Sequence, residues 1–180
     1  MAIIKKDEVS LRSFSDKDFV KLFQLIDKNR NHIGQWLSWV SKTHSEKDVK
    51  KTLLEWKEKD KRQETLHLKI FYNQSFVGVI SFNTISKENK KAEIGYWLDK
   101  NYQGKGIMTK ACKLLIEHGF NKLKLHRIEI SCADGNSKSC AIPQRLGFKK
   151  EGYFKQAGLI NGKFFDVNWF GLVVNDWKKI

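Results

Sequence analysis

The stretch DKNYQGKGIMT, residues 99–109, decides the fold class of this chain. It follows an alternating apolar run over residues 92–98, which predicts a buried strand, and it precedes a helical pattern that begins at Ile107. Gly104 and Gly106 allow positive φ angles and a close approach of the backbone to a ligand. The free N–H groups at the start of a helix favour a negatively charged ligand. The stretch is therefore either a phosphate-binding turn or an ordinary glycine turn.

Two common nucleotide-binding motifs are missing from the sequence. It contains neither the GxxxxGK[ST] run of P-loop proteins nor the GxGxxG fingerprint of dinucleotide-binding folds. Nucleotide hydrolases and hydride-transfer enzymes therefore lose most of their support.

Helical and strand patterns on both sides of this stretch predict a mixed α/β fold. Ser15–Asp18 and Ser45–Asp48 are typical helix starts, and each is followed by apolar residues at helical spacing. A second helical piece carries Trp36 between Ile33 and Val40. The predicted strands cover residues 9–14, 66–72, 76–82, 92–98 and 127–132 and the two flanks of Asn161–Gly162. Asn161–Gly162 is a strong hairpin signal.

The bulk composition predicts one globular domain over residues 1–180. Hydrophobic residues make up 41% and aromatic residues 12%, enough for a core, and one proline and no low-complexity tract argue against a linker. No apolar run is long enough for a signal peptide or a membrane span. The three cysteines have no CxxC spacing and the histidines are scattered, so we expect no disulfide framework and no metal site. These features predict a soluble, cytoplasmic protein.

The net charge of +14 has two interpretations. It is either a lysine-rich solvated surface or an attraction to an anionic partner such as a polyphosphate cofactor or an acidic protein. The basic residues are spread along the chain, so charge alone does not decide between them.

Three motifs, taken together in order, resemble one known family. They are Gln103-x-x-Gly106-x-Met108, Asn136-x-x-Ser139 and Arg145-Leu146-Gly147-Phe148, and a hairpin follows them. The chain resembles the GCN5-related N-acetyltransferase superfamily from residue 11 to residue 177, and within it the branch of ribosomal-protein-serine acetyltransferases. The resemblance implies a twisted, mostly antiparallel sheet of about seven strands flanked by helices. It also implies direct transfer of an acetyl group from acetyl-CoA to a primary amine, in particular a protein N-terminus.

The resemblance implies a set of cofactor-binding residues. Backbone amides of the turn would hold the diphosphate of coenzyme A, an edge of the preceding strand would bond the pantetheine arm, and Asn136 would bind a pantetheine amide or order water near it. The turn comprises Gln103, Gly104, Lys105, Gly106, Ile107, Met108 and Thr109, and the strand edge comprises Tyr96, Trp97 and Leu98. Met108 replaces a family Gly or Ala, a mild departure if its side chain points away.

Ser139 is the implied donor to the leaving thiolate. A free thiol titrates near about 8.5, so a weak donor is adequate. Ser139 could instead cap its own helix, and Ser137 competes with it. Pro143 lacks the N–H that would bond the Ser139 carbonyl, so we expect an irregular helix there.

The general base is less well defined by the sequence. Some relatives of this branch have a glutamate after a Lys-Gln-Ala stretch, but here Ala157 is followed by Gly158. Glu93 is the replacement candidate, acting through water, although it could be a salt-bridge partner. Asp166 is a third option, and the proton could also leave through solvent.

The acceptor side is expected near Trp36 and Trp39, which are three residues apart and would share a helical face. Core packing is the alternative for either of them. Alternative functions are acetylation of a small amine such as a polyamine or antibiotic, a nucleic-acid-binding module and a non-catalytic coenzyme A sensor. We expect no membrane partner and no direct nucleic-acid role, and a homodimer is an option because family members are often dimers.

Overall fold

The computed structural model describes residues 2–178, with side-chain surroundings from residue 4 onward. The strands are β1 Ala2–Lys6, β2 Val9–Ser13, β3 Leu66–Tyr72, β4 Ser75–Ser86, β5 Lys91–Leu98, β6 Arg127–Ala133, β7 Lys149–Ile160 and β8 Lys163–Val173. The helices are α1 Phe19–Ile33, α2 Glu46–Lys61, α3 Ile107–Asn121, α4 Ser137–Arg145 and α5 Val174–Trp177. Two short 3₁₀ helices span Ser38–Lys42 and Lys100–Tyr102.

The strands form one sheet in the order β1-β2-β3-β4-β5-β6-β8-β7. Neighbouring strands run antiparallel except β5 and β6, which run parallel. A parallel pair needs a crossover connection, and α3 provides it. The predicted mixed, mostly antiparallel α/β fold is confirmed, and residues 2–178 contain eight strands instead of about seven. The strand that sequence reasoning missed is β1, which pairs with β2.

The parallel ladder between β5 and β6 is short. Lys91–Glu93 pairs with Arg127–Glu129, and the pairing ends there. Beyond this point β5 continues its pairing with β4 as far as Leu98, while β6 continues with β8 as far as Ala133. The two strands therefore diverge toward their carboxyl ends and leave an opening in the sheet. We call the gap between residues 94–98 and residues 130–133 the wedge.

Apolar layers cover both faces of the sheet. On one face α3 and α4 pack on the main core, which includes the fully buried Phe82, Leu115 and Phe170. On the other face α1 and α2 pack on a second cluster that includes Trp97. Successive strand residues point to opposite faces, so Tyr96 lies on the α3–α4 face and Trp97 on the α1–α2 face.

Local chemistry explains the elements that the sequence predicted well. Both hairpin turns have positive φ at their two central residues: 45° and 68° at Asn73 and Gln74, and 49° and 79° at Asn161 and Gly162. This is the primed-turn geometry that matches the twist of paired strands. The predicted start of α2 carries a capping box in which Ser45 pairs with residue 48.

Two local expectations are wrong. α1 ends at Ile33 and the following helix is a separate 3₁₀ turn from Ser38, so Trp36 and Trp39 do not share one helical face. In addition, Cys132 of β6 and Cys140 of α4 form a disulfide, with Cα atoms 5.9 Å apart. The fold of α4 back against β6 creates this pair, and cysteine spacing does not reveal it. Within residues 2–178, no helix is both long and apolar enough to cross a membrane.

Candidate active site

The turn after β5 is open and has the geometry that only glycine adopts easily. Gly104 and Gly106 have φ of 74° and 71°. A Cβ added at either position would meet no atom within 4 Å, so neither glycine is required by packing. Gly106 is also the N-cap of α3, and it offers no side chain to bond the first amides of the helix.

The backbone amides of residues 104–109 have no hydrogen-bond acceptor among the described residues. The amides on either side are paired: Gln103 donates to the carbonyl of Lys100 at 3.4 Å, and Lys110 donates to that of Gly106 at 3.0 Å. A run of free amides at the start of a helix is an anion receptor, because the N–H groups and the helix dipole both favour negative charge. The predicted phosphate-binding turn therefore has the geometry that its role requires.

Side chains from α1 fix the backbone that leads into the turn. Asp99 is 1% exposed and accepts from Lys28 Nζ at 2.7 Å and from the Asn101 amide at 3.0 Å. The buried Asn29 accepts from the Lys100 amide at 3.0 Å. Burial opposes ionisation of Asp99, but hydrogen bonds from Lys28 and Asn101 outweigh it and lower the pKa of the carboxyl group.

Gln103 connects the turn to α1 and to α4. Its Nε2 lies 2.7 Å from His32 Nε2, and its Oε1 accepts from Lys138 Nζ at 3.0 Å. Burial lowers the pKa of His32, and the positive charges of Lys138 and Lys100 lower it further. A neutral His32 can accept the hydrogen bond from the Gln103 amide. Lys138 and Lys105 also place positive charge beside the turn, with Lys105 Nζ over the Tyr102 ring.

The side chains at the start of α3 point away from the free amides. Ile107 and Met108 are 1% and 8% exposed and belong to the main core. Methionine in place of the small family residue therefore leaves the turn accessible. Thr109 Oγ1 accepts from Arg145 Nη1 at 3.2 Å, which links the first turn of α3 to α4.

β5 presents a free backbone edge to the wedge. Tyr96, Trp97 and Leu98 pair with β4 on one side, and the described chain provides no strand on the other. An extended ligand can bond such an edge in the manner of an added strand. Trp97 and Leu98 are 9% and 7% exposed, so their side chains are packed. Their backbone N–H and C=O groups are therefore the groups that can bind a ligand in the wedge.

Ser139 lies against Tyr96 on the α3–α4 face of the wedge. Tyr96 Oη donates to the Ser139 carbonyl at 3.0 Å, and Ser139 Oγ lies 3.4 Å from Tyr96 Oη. Because Pro143 has no N–H, the Ser139 carbonyl lacks its usual helical partner, and the phenol satisfies it instead. Burial raises the pKa of Tyr96, and proximity to Cys112 raises it further, so the phenol stays neutral. Sequence reasoning missed this role of the Tyr96 side chain.

Two neighbours of Ser139 are Asn136, the residue expected to bind a pantetheine amide, and Ser137, the alternative thiolate donor. Asn136 Oδ1 accepts from the Ser139 amide at 3.2 Å, so Asn136 provides the cap of α4. Ser137 lines a different cavity of about 240 Å³ together with Asp134 and Cys140. Of the two serines, Ser139 is therefore the one whose hydroxyl reaches Tyr96.

A cavity of about 410 Å³ lies on the α1–α2 face, beside the wedge. Its walls are Ser131, Phe154, Ala157, Gly158, Val167 and Trp169. Glu93 does not line it, but Ser131 Oγ donates to Glu93 Oε1 at 2.5 Å. Ser131 therefore connects Glu93 to the cavity wall by one hydrogen bond. Sequence reasoning missed Ser131, although its alternation with Ile130 and Cys132 places it on this face.

The predicted acceptor tryptophans lie near this cavity region but do not line it. The Trp36 ring is 6.1 Å from that of Phe165 on β8, and the Trp39 ring is 6.5 Å from that of Trp97 on β5. Asn161 Nδ2 donates at 2.7 Å to the backbone carbonyl just after α1. The loop after α1 and the last hairpin are therefore in contact.

Asp166, the third candidate base, is engaged on the opposite face. It accepts from Tyr153 Oη at 2.5 Å and from the Gln156 amide at 2.7 Å. Its hydrogen bond with Tyr153 lowers the pKa of Asp166, and the Gln156 amide lowers it further. It alternates with Val167, which lines the cavity, so it points away from the cavity.

The site thus defines a transferase that can take an extended, phosphorylated donor along one face of the wedge and an acceptor from the other. Known proteins agree with this class. A family model described as Acetyltransferase (GNAT) domain matches residues 8–149. The chain is 36% identical over 169 residues to the ribosomal-protein-serine acetyltransferase of Escherichia coli (strain K12), with 94% of each chain covered.

Two solved structures extend the similarity to the fold. One is RimL, a ribosomal L7/L12 alpha-N-protein acetyltransferase in complex with coenzyme A, with a TM-score of 0.94, 32% identity and 98% and 99% of the two chains covered. The other is the microcin C7 self immunity acetyltransferase MccE in complex with acetyl-CoA and AMP, with a TM-score of 0.89, 33% identity and 94% of each chain covered. The chain belongs to the GNAT acetyltransferase family and is an acetyl-CoA-dependent N-acetyltransferase.

Proposed function

We propose that this N-acetyltransferase acts on the α-amino group of a protein N-terminus that begins with serine or alanine. The observation that carries the proposal is the position of the 410 Å³ cavity, on the opposite side of the wedge from Ser139 and Tyr96. A donor held along β5 and an amine in the cavity would meet across the wedge. The relatives that act on ribosomal-protein N-termini support this choice of acceptor.

The donor-binding roles follow from the free backbone groups. The amides of residues 104–109 hold the diphosphate, and the edge at Tyr96, Trp97 and Leu98 bonds the pantetheine arm. Bound acetyl-CoA supplies an activated thioester. An amide of the β5 edge beside the thioester carbonyl stabilises the charge that develops on its oxygen, a contribution of about 2.7–4 kcal/mol for such a donor elsewhere.

The side chains of Ser139 and Glu93 move the protons. Ser139 Oγ, held beside Tyr96 Oη, donates to the sulfur as the thiolate leaves. Glu93, at the base of the wedge, takes the proton that the amine loses. The pKa of an α-amino group is about 7.7–8.0 and that of a lysine about 10.4, so an N-terminal acceptor needs far less help from the base.

The walls of the cavity favour a short, uncharged first residue. None of its lining side chains carries a charge, and the wall is tight at Gly158, where an added Cβ would come within 3.2 Å of the Val167 side chain. An acidic body behind that N-terminus would suit the net charge of +14. A ribosomal protein of acidic character fits both features.

A small-molecule amine is the second candidate. The observation in its favour is the similarity to MccE, whose structure is a complex with both acetyl-CoA and AMP. Both acceptors would use the same donor site, so only the acceptor distinguishes them.

The test is incubation of the protein with acetyl-CoA and matched acceptors, with thiol release followed over time and products checked by mass. The panel contains peptides that begin with serine, alanine, leucine or aspartate, an N-terminally blocked peptide with an internal lysine, and spermidine. We expect the serine and alanine peptides to be fastest. Preferential acetylation of spermidine or of the internal lysine would contradict the proposal.

A further inference from the structure

Ser131 joins the acceptor cavity to the carboxylate that the mechanism uses. Ser131 is part of the cavity wall, and its hydroxyl donates to Glu93 Oε1 at 2.5 Å. The two residues come from different strands, 38 positions apart in the chain, at the point where β5 and β6 diverge. A hydroxyl has one donor and two acceptor lone pairs, so it can donate to Glu93 and accept from the cavity at once.

Ser131 is the one lining side chain that can pass a proton on. The other walls are Phe154, Ala157, Gly158, Val167 and Trp169, and the tryptophan N–H is a donor only. An amine in this cavity therefore meets no carboxylate or imidazole directly among the lining residues.

Glu93 is free to accept that proton. It makes no ion pair with any residue in the described part of the chain, so the salt-bridge alternative is not what the structure contains. Glu129 is opposite it on β6, and Glu129 pairs with Lys91 Nζ at 3.3 Å and with Arg127 Nε at 2.7 Å. Arg127 also pairs with Glu151. On β4, the residue opposite Glu93 is the uncharged Thr84. The charged groups around Glu93 are thus satisfied by one another.

We propose that Ser131 relays a proton from the acceptor amine to Glu93, a proposal that rests on the acetyl transfer proposed above. As the bond between nitrogen and the acetyl carbon forms and the carbon–sulfur bond breaks, the nitrogen becomes acidic. Its proton passes to Ser131 Oγ while the Ser131 hydroxyl proton passes to Glu93 Oε1. Glu93 then releases the proton to water, and the departing sulfur is protonated separately from the other side of the wedge.

The test compares two variants of the same shape. Ser131→Thr keeps the hydroxyl, whereas Ser131→Val replaces it with a methyl group, and both β-branched residues suit a strand. With a serine-initiated peptide at pH 7 we expect kcat to be about a hundredfold lower for Val than for Thr, within the range that general base catalysis supplies. We expect the Kd for acetyl-CoA to differ by less than about threefold between the two variants, since the donor lies on the other face of the wedge. A hydroxyl that contributes only packing would not lower kcat while leaving this Kd unchanged.

Two further measurements test the path through Glu93. The ratio of kcat between Ser131→Thr and Ser131→Val is expected to persist above about pH 9, because an amine that arrives neutral must still lose a proton as its bond to the acetyl carbon forms. A double variant that combines Ser131→Val with Glu93→Gln is expected to have a kcat no lower than that of the slower single variant, because the two groups act in one path. If Val does not fold, Ser131→Ala takes its place. An equal kcat for Ser131→Thr and Ser131→Val (or Ser131→Ala) would overturn the relay. So would a double variant in which the two losses of kcat multiply.

The relay and the proposed acceptor can fail separately. A relay predicts the same ratio of Thr to Val with any primary amine that the enzyme uses. A wild-type enzyme that acetylates spermidine but no peptide would contradict the proposed acceptor, while a hundredfold ratio with spermidine would still support the relay.

Discussion

Replacing Gly106 with alanine separates the cost of backbone strain from the loss of an anion site. An L-residue at φ 71° is strained by about 1–2 kcal/mol, and the added Cβ meets no atom within 4 Å, so the free energy of unfolding falls by about that amount and no more. The Cβ would stand in the open space that the phosphate needs. Loss of one charge-assisted hydrogen bond costs about 1.5–3 kcal/mol, which raises the Kd of coenzyme A about 10- to 150-fold.

Gly162→Ala is the matched control. Gly162 has φ 79° and equally open surroundings, but it lies in the β7–β8 hairpin, away from the donor turn. Chemical denaturation gives the stability of each variant, and calorimetry gives the Kd of coenzyme A. We expect equal losses of stability and a loss of affinity in Gly106→Ala alone. Wild-type affinity in Gly106→Ala, or an equal loss of affinity in the control, would refute the proposed phosphate site.

Three further predictions follow from contacts on the α3–α4 face and beside the turn. Ser139→Ala is expected to lower kcat about 10- to 100-fold with an unchanged Kd for acetyl-CoA; a fully active variant in the thiol-release assay would remove Ser139 from the mechanism. Tyr96→Phe leaves the Ser139 carbonyl without its phenol donor and is expected to lower the free energy of unfolding by about 1–3 kcal/mol, as measured in urea; unchanged stability would show that the carbonyl finds another partner. Asp99→Asn is expected to be less stable than the wild type at pH 7, because the fold holds the pKa of the Asp99 carboxyl below its ordinary value. The difference in the free energy of unfolding between the two proteins should shrink as the pH falls through that lowered pKa. A difference independent of pH would exclude the ion pair with Lys28 as its cause.

The sequence predicts best the features that local chemistry determines. The two primed hairpin turns, the capping box at Ser45 and the glycine turn at Gly104 and Gly106 each depend on a few adjacent residues. The side-chain direction of Met108 also follows from the helical pattern around it, because residues 107 and 108 begin the apolar stripe of α3.

Features that depend on distant pairing were missed for a physical reason. The hydrogen bond between Ser131 and Glu93 depends on the register and divergence of two strands joined through α3, which periodicity cannot specify. β1 is only five residues long and forms because it pairs with β2. Trp36 and Trp39 fit a helical spacing, yet α1 ends before Trp36, and at Gly34 a Cβ would lie 2.6 Å from the Arg30 carbonyl oxygen.

The cavity illustrates the same limit. Lys155-Gln156-Ala157-Gly158 identified a position where the family resemblance implies a carboxylate in some members, and the structure places Ala157 and Gly158 in the cavity wall. The sequence could indicate that a glutamate is absent at Gly158. Only the packing of β6 and β8 brings Ser131 to the same cavity, next to Glu93.

A crystal structure of the protein grown with coenzyme A tests the central claim most directly. We expect diphosphate oxygens within about 3.2 Å of backbone nitrogens in residues 104–109, with the pantetheine arm alongside Tyr96, Trp97 and Leu98 in the wedge. A coenzyme bound elsewhere, with those amides bonded to the protein itself, would contradict the account.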